Sequence, residues 1–239
     1  MTIQITTDHV RIDVADGTTM DGHVVRPAAP GTFPGILLLQ EVFGVNGHIR
    51  DVAARLAREG YVVLAPDLFH RTNPGWEGSY DDIPASIKVA QAYTAEQSEA
   101  DLRAASAHLA KLDAVEADHL GALGFCMGGR LAFTANAVTQ LRAAVSYYGG
   151  GISPDKLHLA SQLHGPTLFF WAGQDPYIPA DQHRAVKDAM HKAGKPFVSV
   201  EFSSVSHGFF CDERKDYDED AAAQSWAMTK EFLRRHLDW

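Results

Sequence analysis

Cysteine is scarce in this chain: Cys126 and Cys211 are the two among 239 residues. Two are too few for a disulfide framework, and by themselves they cannot build a metal cluster. No apolar run approaches the roughly 18 residues that a bilayer span needs. The start, Met1-Thr2-Ile3-Gln4, lacks the basic residues and apolar core of a signal peptide. Positive charge is in deficit, with 21 Lys and Arg against 30 Asp and Glu and a net charge of -9. That balance argues against general binding to nucleic acid or anionic membranes, while leaving room for a local basic pocket. No Ser/Gly/Pro-rich linker, low-complexity run or internal repeat divides the sequence, so one domain over residues 1–239 is expected. The 12 histidines show no His-x-x-x-His or Glu-x-x-His spacing on a clear helix face. No metal and no cofactor are therefore expected. These exclusions leave a cytoplasmic protein with reduced thiols and a small-molecule substrate, a monomer or small homo-oligomer.

What is present is a strong alternation of elements. Residues 4–14 and 22–26 read as short strands joined by a turn at Asp16-Gly17. Gly35-Ile36-Leu37-Leu38-Leu39-Gln40 is a continuous apolar run, as a strand buried on both faces would be. A helix pattern over 47–59 puts Ile49, Val52, Ala53, Leu56 and Ala57 on one face, with Gly60 as its stop. Tyr61–Ala65 is a second buried strand, and 67–83 a long surface loop. The pattern predicts helix over 84–112, broken once. Beyond it come strands at 119–124, 142–147, 166–172 and 196–202, with helices at 127–138, 181–193 and 221–237. Strands alternating with helices imply an α/β fold, with a mainly parallel sheet covered on both faces.

The segment Leu123-Gly124-Phe125-Cys126-Met127-Gly128-Gly129 places a cysteine in a glycine-flanked turn, after an apolar strand and before a helix. This is the layout of a nucleophile elbow with a thiol in place of the usual hydroxyl. A side chain there is lifted into a cleft beside unpaired N–H groups and the positive end of a helix dipole, which favours the thiolate. The N–H of Met127 would point at a developing oxyanion. The plain alternative is a buried structural cysteine, with glycines for helix–sheet packing.

An acid and a base follow in the order such folds use. Asp175 ends the strand-to-turn segment Phe169–Pro179, where parallel sheets place their ligand sites. It is equally a turn-forming Asp before Pro. His207 lies in the loop Ser203–Gly208 after the last strand. There it could take the thiol proton and return it to the leaving group, with Asp175 fixing its tautomer. Alone it is also an ordinary polar loop residue. Order and strand-end placement make the three one constellation. His9, His23, His119, His158, His164, His191 and His236 sit where exposure is expected and receive no role.

Six ordered segments carry a resemblance. Gln40-Glu41-Val42-Phe43-Gly44-Val45-Asn46, Ala65-Pro66-Asp67-Leu68, Gly124–Gly129, Tyr147-Tyr148-Gly149, Gly173-Gln174-Asp175 and Ser206-His207-Gly208-Phe209 resemble the dienelactone hydrolase (carboxymethylenebutenolidase) family. The resemblance covers most of the chain. It implies an α/β-hydrolase fold and a Cys-Asp-His triad at Cys126, Asp175 and His207. It further implies that Glu41 contacts the thiol and helps control its protonation as substrate arrives. An oxyanion hole from the N–H groups of Val42 and Met127 is implied as well. Read without the resemblance, an acid near a helix start is explained by the dipole alone.

The substrate end departs from the family pattern. Family members that open the aromatic-degradation lactone hold its carboxylate with two arginines, one after the Pro-Asp-Leu turn and one just past the catalytic His. Here Asp81 to Arg103 contains only Lys88 before Arg103, and four residues past His207 stands Cys211. Arg71 and Arg214 are the candidate anion binders, unless they are solvated surface charges. Phe43, Tyr147 and Phe209, with Trp76, Tyr80 and Phe210, are candidates to line an apolar pocket, unless they are core. The expected activity is hydrolysis of lactones or small carboxylic esters through a thioester. A broad small-ester hydrolase, a non-catalytic ligand-binding homologue and a redox-sensing thiol protein are the competing readings.

Overall fold

The apolar runs become the middle of an eight-stranded sheet in the computed structural model, which describes residues 3–237. The strands are β1 (Ile5–Asp13), β2 (Thr19–Pro27), β3 (Phe33–Leu39), β4 (Val62–Pro66), β5 (Val115–Phe125), β6 (Ala143–Tyr147), β7 (Thr167–Ala172) and β8 (Phe197–Phe202). Their order is β1-β2-β4-β3-β5-β6-β7-β8. β1 and β2 form an antiparallel hairpin, and β2 meets β4 antiparallel. From β4 to β8 every neighbour is parallel. β4, β6 and β7 are buried at every position, so they cannot alternate apolar and polar as a one-faced strand does.

Among the described residues five α-helices lie between strands, α1 (Gly47–Arg58), α2 (Ile83–Gln91), α3 (Ala95–Leu109), α4 (Met127–Val138) and α5 (Ala180–Ala193), and α6 (Glu219–Leu237) follows β8. Residues 121 and 124 of β5 point to opposite faces, as alternation requires. A Cβ at Gly121 would meet Leu237 of α6, and one at Gly124 would meet Gly128 of α4. α6 and α4 therefore cover opposite faces. α1 lies with α6, joined by Lys230–Glu59 at 3.2 Å and by Arg55 over the Trp226 ring.

The α1 face is the predicted one, with Ile49, Val52, Ala53, Leu56 and Ala57 all buried. Asn46 caps it by accepting from the Ile49 N–H at 3.2 Å, and Gly60 beyond it takes φ +100°. The predicted break within 84–112 falls at Ala92–Thr94. Thr94 opens α3 with a reciprocal capping box to Gln97, so the chain restarts a helix rather than continuing one. Three details differ from expectation. β2 is longer than 22–26, because its whole length pairs with β1. β5 starts at Val115 because that residue pairs with Phe33. A 3₁₀ helix at Leu157–Gln162, without a side-chain cap, has no sequence signal. No described helix is long and apolar enough to cross a membrane.

Candidate active site

The turn from β5 into α4 holds Cys126 at φ +55°, ψ −117°, a conformation costly for a residue with a Cβ. Backbone bonds pin it. The Cys126 N–H donates to Tyr147 O at 3.0 Å, and Cys126 O accepts from the Gly129 N–H at 3.0 Å. The flanking glycines are steric requirements. A Cβ on Gly124 would lie 2.0 Å from Gly128 O, and one on Gly128 would lie 2.1 Å from Leu39 O. Met127 is the first residue of α4, so its N–H has no acceptor within the helix.

Asp175 follows β7 and serves both readings of the sequence at once. Its Oδ1 accepts from the N–H groups of Tyr177 at 2.8 Å and Ile178 at 3.1 Å, which makes the turn. Its Oδ2 accepts from Nδ1–H of His207 at 2.7 Å. The turn thus fixes the carboxylate that fixes the imidazole. His207 is buried in the loop after β8, its ring between those of Tyr148 and Tyr177. Burial alone pushes its pKa down. Cys126 and Asp175 together outweigh that and raise it above the ordinary imidazole value.

Cys126, Met127, His207, Val42, Phe43 and Arg214 open onto one cavity of about 390 Å³. Ile83, Ile87 and Ala90 of α2 form an apolar wall of it, and Arg130 of α4 also lines it. Arg214 reaches Glu41 Oε1 at 3.4 Å and Asp216 at 3.9 Å. Its guanidinium passes over the bare Cα of Gly208 (φ +87°), where a Cβ would lie 2.4 Å from Cζ.

Glu41 is buried just beyond β3, and its Oε2 has no hydrogen-bond partner among the described residues. Ligand-type atoms of Glu41, His48 and Cys211 lie within 4.8 Å of one another, all buried. Two features oppose a cation there. Arg214 already places positive charge on Glu41, and burial pushes the Cys211 thiol up to about 12. That thiol donates to the Tyr80 hydroxyl at 3.3 Å, and Asn46 Nδ2 donates to the same oxygen at 2.8 Å.

Three expected substrate contacts are not brought to the cavity. Arg71 is clamped by Asp101 through Nη1 and Nη2 at 2.8 and 2.7 Å, and its Nε donates to Asp16. Bidentate pairing inside the fold occupies the fork that a substrate would need. Tyr147 is fully buried, with its hydroxyl 2.7 Å from Thr229 Oγ1. Phe209 is core, packed on Tyr148 and Phe202. Trp76 lines a separate cavity beside His23 and Arg50, and Phe210 lies in the core under Arg55. Tyr80 packs its ring on Phe43. Of the histidines expected on the surface, His23, His119 and His236 are half-buried. Sequence reasoning missed Arg130, His48 and the α2 wall. Arg130 had a signal: it stands four residues past Cys126, one turn along the same helix face.

The dienelactone hydrolase family profile matches residues 20–237. A Synechocystis protein provisionally named a carboxymethylenebutenolidase is 31% identical, over 99% of this chain and 100% of its own. The carboxymethylenebutenolidase of Pseudomonas sp. strain P51 is 29% identical over 96% of this chain and 95% of its own. A crystal structure from Klebsiella pneumoniae, provisionally titled a dienelactone hydrolase, superposes with a TM-score of 0.88 at 29% identity. It covers 97% of this chain and 99% of that one. With the profile spanning nearly the whole sequence, the chain belongs to the dienelactone hydrolase family, hydrolases built on the α/β-hydrolase fold.

Proposed function

We propose that this hydrolase cleaves lactones or small carboxylic esters through a thioester on Cys126. The observation that carries the reading is the His207 ring. Its Nδ1 is committed to Asp175 at 2.7 Å, so Nε2 remains for proton transfer beside the cavity that holds the thiol. The raised pKa of His207 favours its imidazolium form beside the Cys126 sulfur.

In the proposed cycle the Cys126 sulfur attacks the ester carbonyl. The N–H groups of Val42 and Met127 stabilise the oxyanion. Collapse breaks the carbon–oxygen bond, and His207 gives its proton to the leaving alkoxide. In a lactone that alkoxide stays tethered as the ring-opened product. Water, deprotonated by His207, then attacks the thioester and releases the acid. Glu41 assists in setting the protonation of the thiol. Two unpaired thiols suit a reducing cytoplasm.

The test uses 4-nitrophenyl acetate with cis- and trans-dienelactone. Wild type turns over at least one, Cys126→Ala abolishes the turnover, and a rapid acid quench followed by mass spectrometry finds one acyl group on Cys126. Ester turnover that survives Cys126→Ala would overturn the proposal.

A further inference from the structure

The helix α2 turns apolar residues toward the cavity rather than the core. Ser86 is its one buried residue, and Val89 and Ala90 are half-buried against the core. Ile83 and Ile87 do not join that core, and Ile87 is 38% exposed. With Ala90 they form one stripe at i, i+4 and i+7, and all three line the cavity that holds Cys126. We infer that α2 is the acyl-chain gauge of this site, and that the esters it serves carry a straight apolar acyl chain of about six to eight carbons. This inference rests on the hydrolase reading above.

The wall is fixed and has a length. Asp82 caps α2 by accepting from the Ala85 N–H at 3.1 Å, and Pro84 in the first turn presets the backbone. From Ile83 to Ala90 the stripe runs roughly 10 Å along the helix axis. An extended chain of single bonds advances about 1.2 Å per bond, so about eight carbons match it. An acyl chain laid on the stripe removes its own surface and that of Ile87 from water together.

Which end of the ester meets that wall follows from the proton. His207 protonates the leaving alkoxide, so the alcohol portion departs beside His207, where the Tyr177 ring stands edge-on at 5.2 Å. The helix α2 is anchored beside Phe43 instead. Gly78 donates its N–H to Phe43 O at 3.0 Å, and a Cβ on Gly78 would meet Ser86 Oγ at 2.2 Å and Phe43 Cδ1 at 3.3 Å. Phe43 follows Val42, whose N–H belongs to the proposed oxyanion hole. A carbonyl held there sends its acyl chain along Phe43 and α2.

The test varies chain length and the side of the ester that carries it. Across 4-nitrophenyl acetate, butyrate, hexanoate, octanoate and dodecanoate, wild-type kcat/KM climbs roughly 2- to 4-fold per methylene and levels off past the octanoate. Ile87→Ser loses about 10-fold more on the octanoate than on the acetate, chiefly through KM, and Ile87→Val falls between. Ethyl octanoate and octyl acetate are isomers with the long chain on opposite sides, and wild type prefers ethyl octanoate in a pH-stat assay. 2-Nonanone carries the octanoyl chain on a carbonyl that cannot be hydrolysed. It binds Cys126→Ala protein in calorimetry, and adding Ile87→Ser weakens it by about 10-fold. A flat chain-length profile in wild type, equal Ile87→Ser losses on acetate and octanoate, no preference for ethyl octanoate, or 2-nonanone binding unchanged by Ile87→Ser would each overturn the assignment. Failure of the hydrolase reading shows separately, as 4-nitrophenyl acetate turnover that persists in Cys126→Ala, while the 2-nonanone titration still reports on Ile87.

Discussion

Gly128→Ala is the sharpest perturbation of the proposed machinery, because the methyl group it adds to α4 meets the backbone at the end of β3. Its Cβ would lie 2.1 Å from Leu39 O, 2.6 Å from Leu39 C and 2.7 Å from Gln40 O. The closest of these falls roughly an ångström inside any distance that real Cβ atoms show, and no flexible side chain stands between. The end of β3 and the start of α4 must therefore separate. Those two segments carry Val42 and Met127, whose N–H groups form the proposed oxyanion hole. Overpacking of this kind costs about 1–3 kcal/mol of stability. A displacement of about 1 Å at reacting groups costs roughly 10²-fold in rate.

Gly35→Ala separates the two effects. Its Cβ would meet only side chains, Leu120 Cδ2 at 2.7 Å, Val115 Cγ1 at 3.1 Å and Leu109 Cδ2 at 3.2 Å, at the far end of β3. Urea midpoints and kcat/KM on 4-nitrophenyl acetate are measured for both variants, with iodoacetamide alkylation of Cys126 as a check on the thiol. Both variants lose stability. Only Gly128→Ala loses turnover by about 10²-fold while still alkylating. A Gly128→Ala enzyme with wild-type kcat/KM, or a Gly35→Ala enzyme equally impaired, would refute the reasoning.

Asp175→Asn keeps the turn-forming oxygen and removes the charge that orients His207, so kcat falls by roughly 10³- to 10⁴-fold with little change in KM. Equal kcat in a steady-state assay would sink the assigned role. His207 has a raised pKa, so the stability it contributes is full below the ordinary value of 6.5 and is lost as pH rises through the raised value. In Cys126→Ala, NMR titration of the His207 ring moves to lower pH, and the alkaline loss of Tm shrinks relative to wild type. Arg71→Gln leaves the buried Asp101 carboxylate unpaired and lowers stability by about 3 kcal/mol in chemical denaturation. It leaves kcat/KM at the wild-type value. Glu41→Gln leaves the buried Arg214 charge with Asp216 alone, at 3.9 Å, and destabilises the protein. Glu41→Gln combined with Arg214→Met regains stability but not turnover, and recovery of turnover would remove Glu41 from the mechanism.

The sheet was legible because burial on two faces leaves an unambiguous mark: β3, β4 and β7 are unbroken apolar runs. The break between α2 and α3 was legible as an event, although its place needed the Thr94–Gln97 box. The 3₁₀ helix left no mark, since it has neither a cap nor an apolar period. At the site, glycine spacing around Cys126 and strand-end positions for Asp175 and His207 each reflect a backbone requirement, and backbone requirements are written locally. Side-chain partnership is not. Arg71 and Arg130 are indistinguishable as letters, yet Asp101, thirty residues from Arg71, decides which of them is taken. Tyr147 and Phe209 failed for the same reason, because an aromatic beside the catalytic strands packs inward or outward according to neighbours far along the chain.

Three exceptions to good packing lie around the cavity. Cys126 holds a left-handed conformation that costs a non-glycine residue about 1–3 kcal/mol. Glu41 keeps a buried carboxylate oxygen without a partner among the described residues, a cost of about 1–3 kcal/mol or more for a charged group. Arg130 holds a half-buried guanidinium with no acceptor among the described residues. The Arg71–Asp101–Asp16 cluster shows that this fold can satisfy an arginine completely where nothing else is asked of it. Cys126 and Arg130 face a single cavity, and Arg214, which also lines it, ties Glu41 to the same place. Strain, an unfilled acceptor and an unfilled donor gathered at one cavity are what a site shaped for a reacting ligand requires.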